Sequence, residues 1–235
     1  MLPLVVDAIG WNIQIRTSHL DYRPPYPEGL TPGGVGTGRG EDNKGYNNLG
    51  WHPDLSGAHM FEAPSLDGKL PFMEIKVFYS LSDLTCSDCG NLWIVPGSHR
   101  RSPQELRDMN QNVDPAEALE LKTAPGTAML WRTATWHCVG PNLSDRTRII
   151  MHMGYHYRWL RPTDYIQQDP DLIAESSPIR RQLLGALPTG GDPLGDEAAY
   201  RPVSQYWLTK NWDDVPLRAW AEERSQNNQS AREPL

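Results

Sequence analysis

At 235 residues and 38% hydrophobic content the chain can bury one sizeable core, a size at which a single all-β domain is common. A formal net charge of -7, a pI near 5.5 and no Lys/Arg run longer than two exclude a basic surface for nucleic acid or anionic membrane. Three cysteines argue against a disulfide framework, and the apolar stretch Leu2 to Ile9 is too short to span a bilayer and has no basic leader or cleavage site, so a soluble, cytoplasmic monomer or homodimer is expected.

In chain order, Trp11 to Tyr22 carries Ile13, Ile15 and Leu20 at strand spacing and predicts an early strand. Glycine and proline then accumulate from Pro24 to Gly50, which predicts a long loop, with Pro27 to Asn48 as a lid that orders over bound substrate. The run Gly34 to Gly40 precedes no helical pattern and no Gly-Lys-Ser/Thr, so it is not read as a phosphate cradle. Met73 to Asp83 alternates, with Ile75, Val77, Tyr79 and Leu81 on one face and Glu74, Lys76, Phe78 and Ser80 on the other, as a strand does. Cys86 and Cys89 lack a second ligand pair and a βαβ context, so the loop that holds them is read as a connection between strands.

Leu92 to Val95 predicts the next strand, closed by the turn Pro96-Gly97-Ser98-His99, and Ser102 caps a short helix through Leu106. Two short strands, Ala128 to Trp131 and the residues around His137, are joined through Arg132 to Ala134. Arg148 to Trp159 follows as a long final strand with Arg148, Ile150 and His152 on one face. Beyond Pro162 the pattern is proline-rich with helical patches at Ile179 to Leu187 and Leu217 to Glu223, and the last dozen residues are expected to fray. Tryptophans 51, 93, 131, 136 and 159 read as core.

The chemistry concentrates in two segments, Trp51-His52-Pro53-Asp54 and Trp136-His137-Cys138-Val139-Gly140-Pro141-Asn142. In a β-rich chain, His-x-Asp with a distant His places two imidazoles and a carboxylate on one face of a metal and leaves the opposite positions open, the facial triad of non-haem Fe(II) oxygenases. Arg148, eleven residues beyond His137, could clamp a dicarboxylate two-pronged, which points to 2-oxoglutarate as cosubstrate and O2 as oxidant. Arg146 shares its strand parity. His99 is read as stabilising its turn, His59 as loop or pocket wall, His152 as either pocket or core, and His156 as near the surface.

From Gly10 to about Pro162 the chain resembles the phytanoyl-CoA dioxygenase family of Fe(II)/2-oxoglutarate oxygenases. The likeness lies in Gly10-Trp11-Asn12-Ile13 with Arg23-Pro24-Pro25, in Trp51-His52-Pro53-Asp54, in Asp83 with Gly90 through Pro96-Gly97-Ser98-His99, and in His137, Gly140, Asn142, Ser144 and Arg148. It implies an all-β core, a cupin-like double-stranded β-helix or jelly roll with a few flanking helices. One oxygenase domain would span 1–235, with its core at 10–162 and a helical or irregular extension at 163–235.

By the same resemblance, His52, Asp54 and His137 would bind iron, Arg148 would pair with the distal carboxylate of 2-oxoglutarate, and Tyr79, Thr17 and His19 fall where relatives contact the cosubstrate. Asn142 and Ser144 would brace the turn that aims His137 and Arg148. Family members carry several dozen residues before the strand that here begins near Gly10, so a missing N-terminal flank is expected. The implied activity is hydroxylation, or a related oxidation, of a small organic molecule with release of succinate and CO2. Halogenating relatives replace the carboxylate that Asp54 retains. The competing readings are a cupin-like metalloenzyme that does not use 2-oxoglutarate, with Arg148 incidental, and a catalytically weak binding protein on the same barrel.

Overall fold

The computed structural model describes residues 1–26, 28, 51–54, 72–101, 105, 108, 115–166, 168–186 and 216–230. Most of the expected lid, His59 and the expected helix after Ser102 lie largely outside them. The described residues include seven strands: β1 (Ile13–Arg23), β2 (Glu74–Ser80), β3 (Leu92–Ile94), β4 (Leu119–Leu121), β5 (Ala128–Arg132), β6 (His137–Val139) and β7 (Arg148–Tyr157). They form a four-stranded sheet in the order β1-β7-β2-β5 and a three-stranded sheet in the order β4-β3-β6. β2 and β5 pair antiparallel with Val77 opposite Leu130, and β3 and β6 pair antiparallel with Trp93 opposite Cys138.

The chain falls into two compact units, His19–Met153 and Met1–Ser18 with Gly154–Leu235. The divisions lie within β1 and β7. In the first unit a core cluster draws Phe78 from β2 and Ile150 from β7 together with Leu92 from β3, Val139 from β6, and Leu84 and Cys89 from the intervening loop. Both sheets therefore contribute to one apolar interior, the arrangement that lets two half-buried faces leave water together. β2 lies between β7 and β5, and six of its seven residues are buried. Its alternation thus separates two covered faces rather than a wet one from a dry one.

Cys86 and Cys89 lie in the loop between β2 and β3, as expected, and are joined there by a disulfide, which the odd cysteine count had argued against. β4 escaped the sequence reading because Leu119–Leu121 is short, with an exposed leading residue.

The second unit contains the helix Leu2–Ile9, which buries Val5, Val6 and Ile9. The sequence had marked that stretch only as too short for a membrane span. Among the described residues no helix is long and apolar enough to cross a membrane. Gln182 donates to the carbonyls of Trp11 and Ile13 and accepts from the Leu217 amide, tying the helix Pro178–Leu183 and the start of the helix Pro216–Ser230 to the β1 end of this unit. The latter helix runs to Ser230, so much of the segment expected to fray is ordered. Arg224 holds Asp7 through two bonds of 2.6 and 2.8 Å, and Arg218 pairs with Glu222 one turn on. His156, expected near the surface, is instead 1% exposed beside Gln14, and Trp159, expected in the core, is 57% exposed.

Candidate active site

Two backbone contacts bring His52, Asp54 and His137 together. His52 and His137 form an antiparallel bridge in which each backbone N–H donates to the other's carbonyl at 3.0 Å, so their side chains leave the sheet on one face. The imidazole centroids stand 4.4 Å apart. Asp54, two residues beyond His52, has its amide anchored to the Thr133 carbonyl at 2.9 Å. One potential ligand atom from each of the three residues lies within 4.8 Å of the others.

His137 is buried, and its Nδ1 is 2.8 Å from the Thr135 carbonyl. A carbonyl can only accept, so Nδ1 donates to it, and Nε2 is the ring nitrogen that faces Asp54 Oδ2, at 3.5 Å. That is how a metal-binding histidine is usually oriented.

Asp54 also receives Lys76, whose Nζ donates to both carboxylate oxygens at 3.0 Å. Burial pushes the Asp54 carboxyl up, but the hydrogen bond and charge of His137 together with Lys76 outweigh it and hold the group well below the usual carboxylate range. The sequence reading assigned Lys76 only to a strand face. The available signal was a lysine sharing its face with Phe78 in a strand of otherwise apolar alternation.

Trp131, opposite Lys76 in the β2–β5 register, connects this cluster to a second one. Its ring centroid lies 5.7 Å from His137, 6.2 Å from His152 and 6.3 Å from Phe78. His152 stacks on His19 at 4.8 Å, and its Nε2 is 3.9 Å from Asp21 Oδ2. Burial, reinforced by Lys76, His19 and Arg148, lowers His152 to about 3, so the ring is neutral.

Arg148 is 1% exposed and donates from Nη1 to Asp21 Oδ2 at 2.6 Å. Burial lowers its pKa to about 10 against the opposing pull of Asp21. Burial raises the Asp21 carboxyl, but Arg148 and Arg23 win and leave it below its ordinary value. Among the described residues the remaining nitrogens of Arg148, Nε and Nη2, have no hydrogen-bond partner and are buried, as are His152 Nδ1 and Trp131 Nε1. An unmet buried donor costs about 1–3 kcal/mol, so the two on Arg148 are suited to a polar partner. Arg146, by contrast, has a side chain 61% exposed and pairs with Asp83 and Asp145 at 3.8 and 3.7 Å.

The other expected contacts are distributed unevenly. His19 joins the site through its stack on His152. Tyr79 is half-buried on β2, and strand alternation directs it to the face opposite Lys76 and Phe78. Its phenol is pushed up by burial. Thr17 belongs to the other unit, where its hydroxyl donates to Asp164 Oδ2 at 2.6 Å. Asn142 donates to the carbonyls of Arg146 and Arg23 and accepts from the Ser144 hydroxyl, stitching the turn between β6 and β7.

The profile of the phytanoyl-CoA dioxygenase (PhyH) family matches residues 43–150. An uncharacterised protein of Mycobacterium tuberculosis, Rv1501, is 26% identical over 113 residues, 47% of this chain and 40% of its own length. The protein Mb1539 of Mycobacterium bovis matches with the same figures, so the chain aligns to well under half of these curated relatives. Similar solved structures include the nickel complex of the non-heme monooxygenase ThoJ, at 18% identity and TM-score 0.46, covering 95% of this chain and 71% of that one. Another is EvdO2 from Micromonospora carbonacea var. aurantiaca complexed with 2-oxoglutarate, at 21% identity and TM-score 0.43, covering 71% of this chain and 60% of that one. His52, Asp54, His137 and Arg148 all fall inside residues 43–150, the stretch that is similar to the phytanoyl-CoA dioxygenase family profile.

Proposed function

We propose that this chain is a non-haem Fe(II)- and 2-oxoglutarate-dependent dioxygenase that hydroxylates, or otherwise oxidises, a small organic molecule. The observation that carries the reading is the joint presence, in one unit, of a two-histidine, one-carboxylate donor set and a buried arginine with two donors unmet among the described residues. The donor set fits the metal: two imidazoles and one carboxylate form a facial triad, a pattern suited to iron with positions left open. His52, Asp54 and His137 would hold it. Bound there, Fe(II) would supply the dioxygen chemistry that couples decarboxylation of 2-oxoglutarate to succinate and CO2 with oxidation of the substrate.

The chain's own residues have separate tasks. Thr135 orients the ring of His137 and so presents Nε2. Arg148 would take the distal carboxylate of the cosubstrate on its Nε–Nη2 edge, the side that Asp21 leaves free, in the planar two-pronged geometry that guanidinium allows. Trp131 and His152 would wall the space and offer their unmet nitrogens, and the neutral state of His152 spares the site a further cation. The seven strands are read as part of a double-stranded β-helix, and the chain as one oxygenase domain.

The test is turnover: with Fe(II), 2-oxoglutarate and a panel of small metabolites, the protein should release succinate in step with O2 consumption. One observation favours the rival reading of a cupin-like metalloenzyme without 2-oxoglutarate, namely that Arg148 already has a carboxylate partner in Asp21. Metal-dependent chemistry on a metabolite with no succinate formed would select that rival.

A further inference from the structure

We infer that Lys76 is a positioning residue for the metal centre, holding the Asp54 oxygen that does not face the metal so that the other is presented singly. The inference rests on the reading of His52, Asp54 and His137 as the metal ligands. Its basis is geometric: Lys76 Nζ lies 3.0 Å from both Asp54 oxygens, while Oδ2 alone approaches His137 Nε2, at 3.5 Å. When one oxygen turns to a metal, the other is left in a largely buried site, where an acceptor without a donor is costly. Lys76 is the donor that is in place.

The lysine itself is built for the task rather than caught there. It projects from β2, which is paired on both sides, and its register partner Trp131 lies on the same face. The ammonium stands 6.0 Å from the centroid of that indole, which in turn packs against His137 at 5.7 Å. With 7% exposure, Lys76 is a buried cation, and Asp54 is its anionic partner among the described residues. A buried ion pair of this kind offers little net stability over an apolar pair, so its presence beside the ligands points to orientation as its use. A cation near a divalent metal costs some repulsion. Against that stand a fixed carboxylate rotamer and a satisfied second oxygen, and loss of such supporting bonds ordinarily weakens metal affinity by about ten- to a hundredfold.

The experiment is calorimetric titration of the full chain with Mn(II), which needs neither oxygen nor turnover, for wild type, Lys76→Met and Lys76→Arg. Thermal unfolding of each metal-free protein is recorded alongside. The expected result is a loss of about ten- to a hundredfold in Mn(II) affinity for Lys76→Met, with recovery of most of it in Lys76→Arg, which restores a cationic donor. If Lys76→Met does not fold, Lys76→Gln is read in its place. Unchanged or tighter binding in the neutral variant would overturn the inference, the latter showing that Lys76 competes with the metal. Failure of Lys76→Arg to recover binding at equal thermal stability would also overturn it. Wild-type protein that takes up no Mn(II) would defeat the metal-site reading and this inference together, whereas the ratio between variants tests Lys76 alone.

Discussion

Two imidazoles and a carboxylate converge here because a backbone bridge pairs His52 with His137 and the Asp54 amide is anchored to the Thr133 carbonyl. Replacing His52, Asp54 or His137 by Ala should therefore remove tight iron binding, read as metal content after anaerobic loading and desalting; three variants that retain wild-type iron would remove the assignment. For the clamp, burial separates two arginines that strand parity could not: Arg148 is enclosed and half-paired, Arg146 exposed. Arg148→Lys should raise the apparent constant for 2-oxoglutarate well over tenfold, the effect of losing part of a charge-assisted pair worth about 2–5 kcal/mol, because an ammonium lacks the planar fork. Arg146→Lys should leave it unchanged, and the reverse pattern would identify the wrong arginine. These candidate positions were legible because the His-x-Asp motif, the distant His and the family resemblance single them out. Lys76, Trp131 and Asp21 were not, since what places them is cross-strand register and long-range pairing.

At the scale of elements, the loop before β3 and the turn before β7 meet on the Arg148 side chain. Gly90 has a φ of +77°, and a Cβ added there would stand 2.8 Å from Arg148 Cδ. Gly90→Ala should thus weaken 2-oxoglutarate binding as well as lower the melting temperature; a loss of stability with cosubstrate affinity intact would show that the contact does not aim the arginine. In the other unit, β7 buries His156 against Gln14, and burial lowers the imidazole to about 4 from an ordinary 6.5.

A group whose folded pKa is depressed binds fewer protons when folded, so its contribution is fully present above about pH 6.5 and is lost as the pH falls toward 4. The melting temperature should decline across that window, and His156→Gln should flatten the decline; an unaltered acid limb would assign it to other groups. The sequence missed this burial because residues 154–156 of β7 are covered on both faces, whereas the alternation that served from Arg148 to Met153 assumes one more open face. The helix Pro216–Ser230 was likewise cut short, because its polar tail reads as frayed unless the distant Asp7 that Arg224 grips is known.

For the molecule as a whole, the β-rich class and the order of most strands follow from alternation and turn residues, while the division into two units does not. It depends on contacts between chain ends more than a hundred residues apart, such as Gln14 with the Leu160 carbonyl. The unit His19–Met153 holds the candidate ligands, the clamp and the residues between them, so metal and cosubstrate binding should be properties of one site. The direct test is anaerobic titration of the full chain with Fe(II) followed by 2-oxoglutarate, watched by metal-to-ligand charge-transfer absorption. A single equivalent of iron should bind, and the cosubstrate should then raise a new absorption band, absent in His137→Ala and shifted to much higher 2-oxoglutarate concentration in Arg148→Lys. Iron uptake with no 2-oxoglutarate-dependent band, or no iron uptake, would contradict the account.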